Sequence, residues 1–367
     1  MKKSKDLIIL AIETSCDDTC ISILKIKNQK LKILSNVVSS QVEIHKKYGG
    51  VFPTLAKRKH EKNLPLVLKK ALKGAKLLFE KIDLIAVTVG PGLEPCLWVG
   101  INFAKDLAEK WNLPIIPVNH IEAHILANFI GENHKLQIAN YKKLFPAICL
   151  VVSGGHTQLI LMKDFGKYKI IGETRDDAAG ECFDKCARIL GLGYPGGPAI
   201  AVEAARGPTS INRGRTSVIL PRPMLHTKDY DFSFSGLKTA VLYKVKNEKR
   251  KAKSEKFIQA MALEIQQAII DVLIHKTLKA AKDYKVKTII LGGGVTANQE
   301  LRKQFKLKIK NSKLKINFLV PHKNLSVDNA AMIGITAYFH WLKNKKGIAS
   351  SRRNYPLHLK ANANLKI

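Results

Sequence analysis

Apolar residues in this chain come in short unbroken runs. LIILAIE (7–13) meets the polar turn TSCDDT, and CISILKI (20–26) follows. The arrangement recurs as AICLVV (147–152), the tight polar turn SGGH (153–156) and TQLILM (157–162). Runs of this length, bounded by turn residues, predict buried strands paired as hairpins. Each hairpin opens a stretch of mixed strands and helices, so the pattern predicts an internal duplication of one α/β unit. LIAVTVG (84–90) predicts a strand running into the turn PGL, and IIPV (115–118) another. LEIQQAIIDVLIHKTLKAA (263–281) has apolar positions at helical spacing and predicts an amphipathic helix. KTIILGGGVTANQEL (287–301) reads strand, glycine turn, helix; INFLVP (316–321) reads strand; DNAAMIGITAYFHWL (328–342) reads as a closing helix. Alternating strands and helices predict an α/β protein with largely buried sheets. Two such lobes would leave a cleft lined by hairpin tips and glycine turns, where ligands prefer to bind.

Composition adds size and charge. The 367 residues suffice for two domains with substantial cores, and 46% hydrophobic with 25% charged residues is a globular balance. The 62 Lys and Arg against 29 Asp and Glu give a net charge of +33, which suits a polyanion such as nucleic acid, or reflects a lysine-rich surface with no such partner. KVKNEKRKAKSEK (244–256) and RKQFKLKIKNSKLK (302–315) carry seven basic residues each. The single aromatic within them, Phe305, does not alternate with the charges, so they suit phosphate contact rather than base stacking, or are simply solvated faces. The six cysteines lack CxxC spacing and are expected as reduced, mostly buried thiols of a cytosolic protein. The start MKKSKDLIILAIETS has too short an apolar run before Glu13 for a secretory signal, and no stretch approaches the 18 apolar residues of a membrane span.

Several segments offer chemistry. In HIEAHILA (120–127), His120 and His124 are four apart and share a helix face, so they can bind one ion or be ordinary helix histidines. Glu122 points elsewhere, and the HExxH metalloprotease pattern is absent. Asn119 is a suitable N-cap for that helix. A two-histidine site needs a further ligand, commonly a carboxylate, which local spacing cannot name. LGGGVTAN (291–298) and SGGH (153–156) expose bare backbone that can cradle an anion or only turn the chain. In DDAAGECFDK (176–185), Asp177, Glu181 and Asp184 fall on one predicted helical face, suited to a hydroxyl or amine ligand or to the helix dipole. GYPGGP (193–198) follows as a rigid loop, and DFSFSGLK (231–238) sets Phe232 and Phe234, expected in the core, beside Ser233 and Ser235.

ETSCDDT, YGGVFPTLAKRKH, GPGL, NHIEAH, VVSGGHTQL, DDAAGECFDK, GYPGGP, FSFSGLKTA, GGGVTAN and DNAAMIG occur together and in order, and with them residues 7–343 resemble the tRNA N6-adenosine threonylcarbamoyltransferase family, formerly called O-sialoglycoprotein endopeptidases. The resemblance implies an actin/hexokinase/Hsp70-like (ASKHA) fold of two ribonuclease-H-like lobes with an inter-lobe cleft. The expected division is an N-terminal lobe of residues 1–118 plus about 328–345, a C-terminal lobe of 119–327, and a tail, 346–367, without assigned role. The resemblance implies transfer of threonylcarbamoyl from threonylcarbamoyl-AMP to N6 of adenosine 37 in tRNAs reading ANN codons. It assigns His120, His124 and Asp328 to one divalent metal, Fe(2+) first and Zn(2+) second. It assigns Val151, Val152, Ser153, Gly154, Gly155, Asp184, Gly197 and Asn298 to substrate. Glu13, Glu181, His156, Gly292, Gly293 and Gly294 are candidates for further nucleotide or cleft contacts, and no general base is named. Implied partners are tRNA, in bacteria a paralogous ASKHA protein and a small P-loop ATPase, and elsewhere a kinase-containing complex, in the cytoplasm and without a membrane.

The chain departs from the family pattern at Ser326-Val327, at Thr54 and in GLEPCLWVG, none of which removes a metal ligand. Two other readings compete: an ATP-dependent kinase or carbamoyltransferase of the same fold acting on a small molecule, and a nucleotide-binding scaffold. The histidine pair argues against a simple kinase, which holds magnesium on oxygen ligands.

Overall fold

The computed structural model describes residues 6–28, 30–131, 141–207, 218–248, 254–312, 314–343 and 358–367. They form two compact units, Met1–Tyr141 with Pro321–Ile367, and Lys142–Val320.

The first unit is built on strands β1 (Leu7–Glu13), β2 (Asp18–Lys27), β3 (Lys30–Ser40), β4 (Leu84–Gly90) and β5 (Ile115–Asn119), in the order β3-β2-β1-β4-β5. The first three form an antiparallel meander; β4 and β5 add in parallel, with Ile9 opposite Leu84 and Ile85 opposite Ile115. A single turn of helix, α1 (Val42–His45), follows β3. β1 is apolar on both faces because both are covered. Ile8, Leu10 and Ile12 share a core with α2 (Pro53–Ala75) and α3 (Glu94–Trp111). Ile9 and Ala11 alternate to the other face, where α11 (Ala330–Lys343), preceded by the short α10 (Lys323–Ser326), packs on β1 and β2.

The second unit repeats the scheme. Its strands β6 (Ala147–Val152), β7 (Thr157–Asp164), β8 (Lys167–Glu173), β9 (Thr288–Gly292) and β10 (Asn317–Leu319) run in the order β10-β9-β6-β7-β8, again an antiparallel meander followed by two parallel strands. Numbered within its own unit, each sheet has the order 3-2-1-4-5, which is what duplication of one α/β unit leaves behind. Ile148, Leu150 and Val152 share a core with α5 (Ala179–Ile189), α6 (Gly196–Arg206), α7 (Ser235–Asn247) and α8 (Glu255–Asp283). Phe232 and Phe234 lie fully buried there, as expected.

The division differs from the one expected at 118/119 and near 328: it falls at 141/142 and 320/321. Helix α4 (His120–Leu126) packs on α11 and so belongs with the first unit rather than the second. Of the expected tail, residues 358–367 also belong to the first unit. Leu359 joins its core, and Lys105 Nζ donates to the Leu359 carbonyl at 3.0 Å. Asn362 N donates to Val89 O (2.8 Å), Gly92 N to Ala363 O (3.2 Å), and Asn119 Nδ2 to Lys366 O (3.3 Å). A Cβ on Gly90 would lie 1.9 Å from the Asn362 carbonyl oxygen, so the segment seats only against glycine.

All six cysteines are free thiols, five buried and Cys16 half-buried. Among the described residues, α8 alone is long and apolar enough to cross a membrane, which the count of uninterrupted apolar residues did not anticipate; 67% of its most apolar window is buried inside the second unit. Of the basic runs, residues 249–253 and 313 lie outside the described residues; α9 (Gln299–Asn311) presents Lys303, Lys306, Lys308 and Lys310 as a mostly solvated face, while Arg302 Nε turns in to the Thr296 carbonyl.

Candidate functional site

In the first unit the end of β5 turns directly into α4. Asn119 Oδ1 accepts from Ile121 N at 2.8 Å and Glu122 N at 3.1 Å, the expected N-cap. The cap fixes the first turn, and the four-residue spacing sets His120 and His124 side by side, ring centroids 4.6 Å apart at 83°. Asp328 arrives from the chain's other end. Asn329 is fully buried, its Oδ1 accepts from Met332 N (3.1 Å) and its Nδ2 donates to Val327 O (2.8 Å). That cap starts α11 and points Asp328 at the histidines. Asp328 Oδ1 lies 3.5 Å from His120 Nε2 and 3.2 Å from His124 Nε2. One ligand atom from each residue falls within 4.8 Å of the others.

Beneath this triad Glu13, at the end of β1, is fully buried. Its carboxylate accepts from Thr88 Oγ1 (2.6 Å), His120 Nδ1 (3.0 Å) and the Ser15 backbone N–H. Burial pushes the Glu13 carboxyl up, but the neighbouring His120 outweighs it and holds it below the usual carboxylate range. Burial opposes charge on His120; Glu13 and Asp328 prevail and raise it to about 9. His124 is lowered, chiefly by burial. Its Nδ1 is buried with no hydrogen-bond partner among the described residues, and its Nε2 faces Asp328 Oδ1 at 3.2 Å.

These residues fit a divalent first-row metal. Glu13 holds a proton on His120 Nδ1, so a metal that displaces the second proton would find the Nε2 lone pair beside Asp328, the carboxylate–histidine arrangement of metal sites. Two imidazoles and a carboxylate leave positions open for an exogenous ligand. Glu122 points away, as expected, and pairs with His340 Nε2 at 2.9 Å. A Glu13→Gln variant is expected to fold and to bind metal about 10- to 100-fold more weakly, since the amide cannot accept from all three donors; competition against a chromogenic chelator measures it.

In the second unit β6 and β9 are parallel neighbours, with Val151 opposite Gly292, so their C-terminal ends bring two glycine turns together. Val151 and Val152 are fully buried and contribute backbone rather than side chain. Ser153 N donates to His156 O (2.8 Å), and His156 N to Ser153 Oγ (3.1 Å), closing the hairpin tip. Added Cβ atoms at Gly154, Gly155 and Gly294 would touch nothing within 4 Å, so packing does not require glycine at these three positions. Bare backbone there suits close approach of a ligand. Gly293 is different: its φ is +89°, and a Cβ would lie 2.4 Å from Val152 O.

The acidic cluster does not lie on one helical face. α5 begins at Ala179, which leaves Asp177 before the helix because the Thr174 hydroxyl donates to the Asp177 carbonyl in a turn (2.8 Å). Lys185 Nζ joins Asp177 (2.7 Å) and Glu181 (2.9 Å), and Asp176 caps α7 through Phe234 N (2.8 Å) and Ser235 N (3.2 Å). Thus Lys185 supplies the amine that the cluster called for. Asp184 Oδ1 accepts from Gly196 N at 2.6 Å, and the Gly197 N–H also bonds its carboxylate, so it holds the first turn of α6. Asn298 caps α9 through Leu301 N (3.0 Å) and donates to Gln266 Oε1 (2.8 Å), so both ends of its amide are engaged. Ser15 and Thr88, which hold Glu13, carried no spacing signal; only their places at a strand end and beside β1 reveal them.

Residues 32–335 match the family model of tRNA N6-adenosine threonylcarbamoyltransferase. Proteins of that name from Thermosipho africanus and Syntrophomonas wolfei are 48% and 47% identical, over 98% and 92% of this chain and 100% and 93% of theirs. One from Clostridioides difficile is 44% identical over 99% of both chains. In fold, the chain resembles full-length HypF in its phosphate- and nucleotide-bound form, with a TM-score of 0.58 at 12% identity, covering 95% of this chain and 48% of that one. With the duplicated 3-2-1-4-5 sheets this is an actin/hexokinase/Hsp70-like α/β fold. At such identity and coverage, the chain belongs to the tRNA N6-adenosine threonylcarbamoyltransferase family and forms threonylcarbamoyladenosine in tRNA.

Proposed function

We propose that the transfer uses threonylcarbamoyl-AMP as donor and adenosine 37 of ANN-reading tRNAs as acceptor, and that His120, His124 and Asp328 hold a divalent metal, Fe(2+) or Zn(2+), that assists it. The observation that carries this reading is the convergence of the three side chains with Glu13 orienting His120 from below. The adenine amine is a weak nucleophile, so the carbonyl carbon must be made electrophilic and held in line. When bound, the metal supplies Lewis-acid polarisation and a template for phosphate or carbamoyl oxygens.

The chain's own residues supply the rest. Backbone N–H groups of Gly154 and Gly155 and of the Gly293–Gly294 turn offer hydrogen bonds to negative charge that develops on oxygen. Asp184 keeps the Gly196–Gly197 turn in place beside α5. N6 of the adenosine forms the new N–C bond; the C–O bond to phosphate breaks, and AMP leaves with the electron pair. The amine proton passes to solvent or to the leaving phosphate.

The named relatives are bacterial, so the partners to test are a paralogous ASKHA protein and a small P-loop ATPase, in the cytoplasm where tRNA is found. Single-turnover transfer from labelled threonylcarbamoyl-AMP to purified tRNA is the test. Label should reach adenosine 37 and fall at least about tenfold after chelation, recovering on addition of Fe(2+) or Zn(2+). Full transfer by rigorously metal-free protein would remove the metal from the reaction, and phosphorylation of a small molecule instead would favour the kinase reading.

A further inference from the structure

The loop Lys46–Phe52 of the first unit holds two aromatic rings in solvent. Tyr48 is 62% and Phe52 52% exposed, yet they are stacked, with centroids 5.7 Å apart and planes at 29°. Rings of this size are usually drawn into a core or an interface. Their support is unusually well built. Phe52 N donates to His45 Nδ1 (3.3 Å), leaving the proton on Nε2 to donate to Gln41 Oε1 (3.2 Å). Both His45 and Gln41 are buried, and Gln41 N donates to Asp17 O at 3.2 Å. Gly49, at φ +64°, makes the reversal between the rings. The loop is therefore fixed to the turn containing Ser15, whose Oγ lies 3.2 Å from His120 Nδ1.

The surroundings are basic. Lys46, Lys47, Lys57 and Arg58, within six residues of one ring or the other along the chain, are exposed. Glu43 and Glu61 answer Lys46 and Lys57 only loosely, at 3.9 and 3.7 Å. Aromatic faces set among cations are what unpaired RNA recognises: bases stack, and phosphates meet the charge. A protein helix would instead want a broader apolar surface than two rings provide. The one aromatic in the long basic runs, Phe305, is fully buried, so this short loop is the better candidate for base contact.

We propose that Tyr48 and Phe52 form a stacking platform for an unpaired base of the RNA acceptor, with Lys46, Lys47, Lys57 and Arg58 taking neighbouring phosphates. The inference rests on the reading that tRNA is the acceptor. The test compares wild type with Tyr48→Ala/Phe52→Ala and with the ring-preserving Tyr48→Phe, at saturating donor, with varied tRNA and the partners that turnover requires. The double variant should raise the KM for tRNA about tenfold or more with kcat and metal content retained; Tyr48→Phe should keep the wild-type KM within about twofold. Tyr48→Ala/Phe52→Ala should also weaken binding of an isolated anticodon stem-loop at fixed salt by a similar factor. An unchanged KM and stem-loop affinity overturns the platform, as does a defect confined to association with a protein partner. If wild type itself fails to modify tRNA, the acceptor reading falls, and stem-loop binding still decides on the rings separately.

Discussion

Asp328→Asn is expected to release the metal and to lower single-turnover transfer by about 100- to 1,000-fold, the scale of several kcal/mol of lost charge stabilisation. The asparagine keeps the side chain's size, and the helix cap next door depends on Asn329, so the fold should persist. What disappears is the carboxylate 3.2–3.5 Å from both imidazoles. Elemental analysis and thermal melting separate the two effects: metal content should fall to background while the melting temperature of the metal-free protein barely moves. Glu122→Gln is the control, an acid in the same helix as the histidines that pairs with His340 rather than with the triad. That variant should keep its metal. Retained stoichiometric metal in Asp328→Asn would defeat the proposed coordination.

Gly293→Ala is expected to be the most damaging single methyl group in the second unit. The backbone at φ +89°, ψ 160° lies in a region open essentially to glycine alone, and the new Cβ would sit 2.4 Å from the carbonyl oxygen of Val152. Val152 is locked in the β6–β7 pairing and cannot retreat. Strain and clash together should cost at least about 3 kcal/mol against a total stability of about 5–15 kcal/mol. Because Val152 leads into Ser153–Gly155, donor binding should fail as well. Gly154→Ala separates folding from binding: a Cβ there touches nothing within 4 Å, so the melting temperature should hold while donor affinity falls. If Gly154→Ala binds donor normally, the hairpin tip is only a turn.

The strands were legible because burial leaves a plain mark: LIILAIE, LIAVTVG and AICLVV begin and end where β1, β4 and β6 do. Duplication was legible because two hairpins with polar tips are rare enough to notice. The domain boundary was not, because all seven residues of α4 are buried and no solvent face marks which sheet it covers; packing on α11 decides that. His120 and His124 announced themselves by spacing, but Asp328 is distant along the chain and came only through family resemblance. Glu13 could be named as a cleft residue, not as the group that sets a tautomer, since that role depends on β1 and α4 meeting in space. The acidic cluster misled for a related reason: periodicity assumes the helix already runs through Asp177, whereas a threonine turn delays it.

Lys366 sits one hydrogen bond from the residue that precedes His120. A polyhistidine purification handle appended after Ile367 would therefore start near the proposed His120–His124–Asp328 site, where its imidazoles would compete for any metal that site takes. Metal analyses on protein so labelled would count the handle together with the enzyme, so affinity handles belong at the opposite end or should be cleaved before the assay.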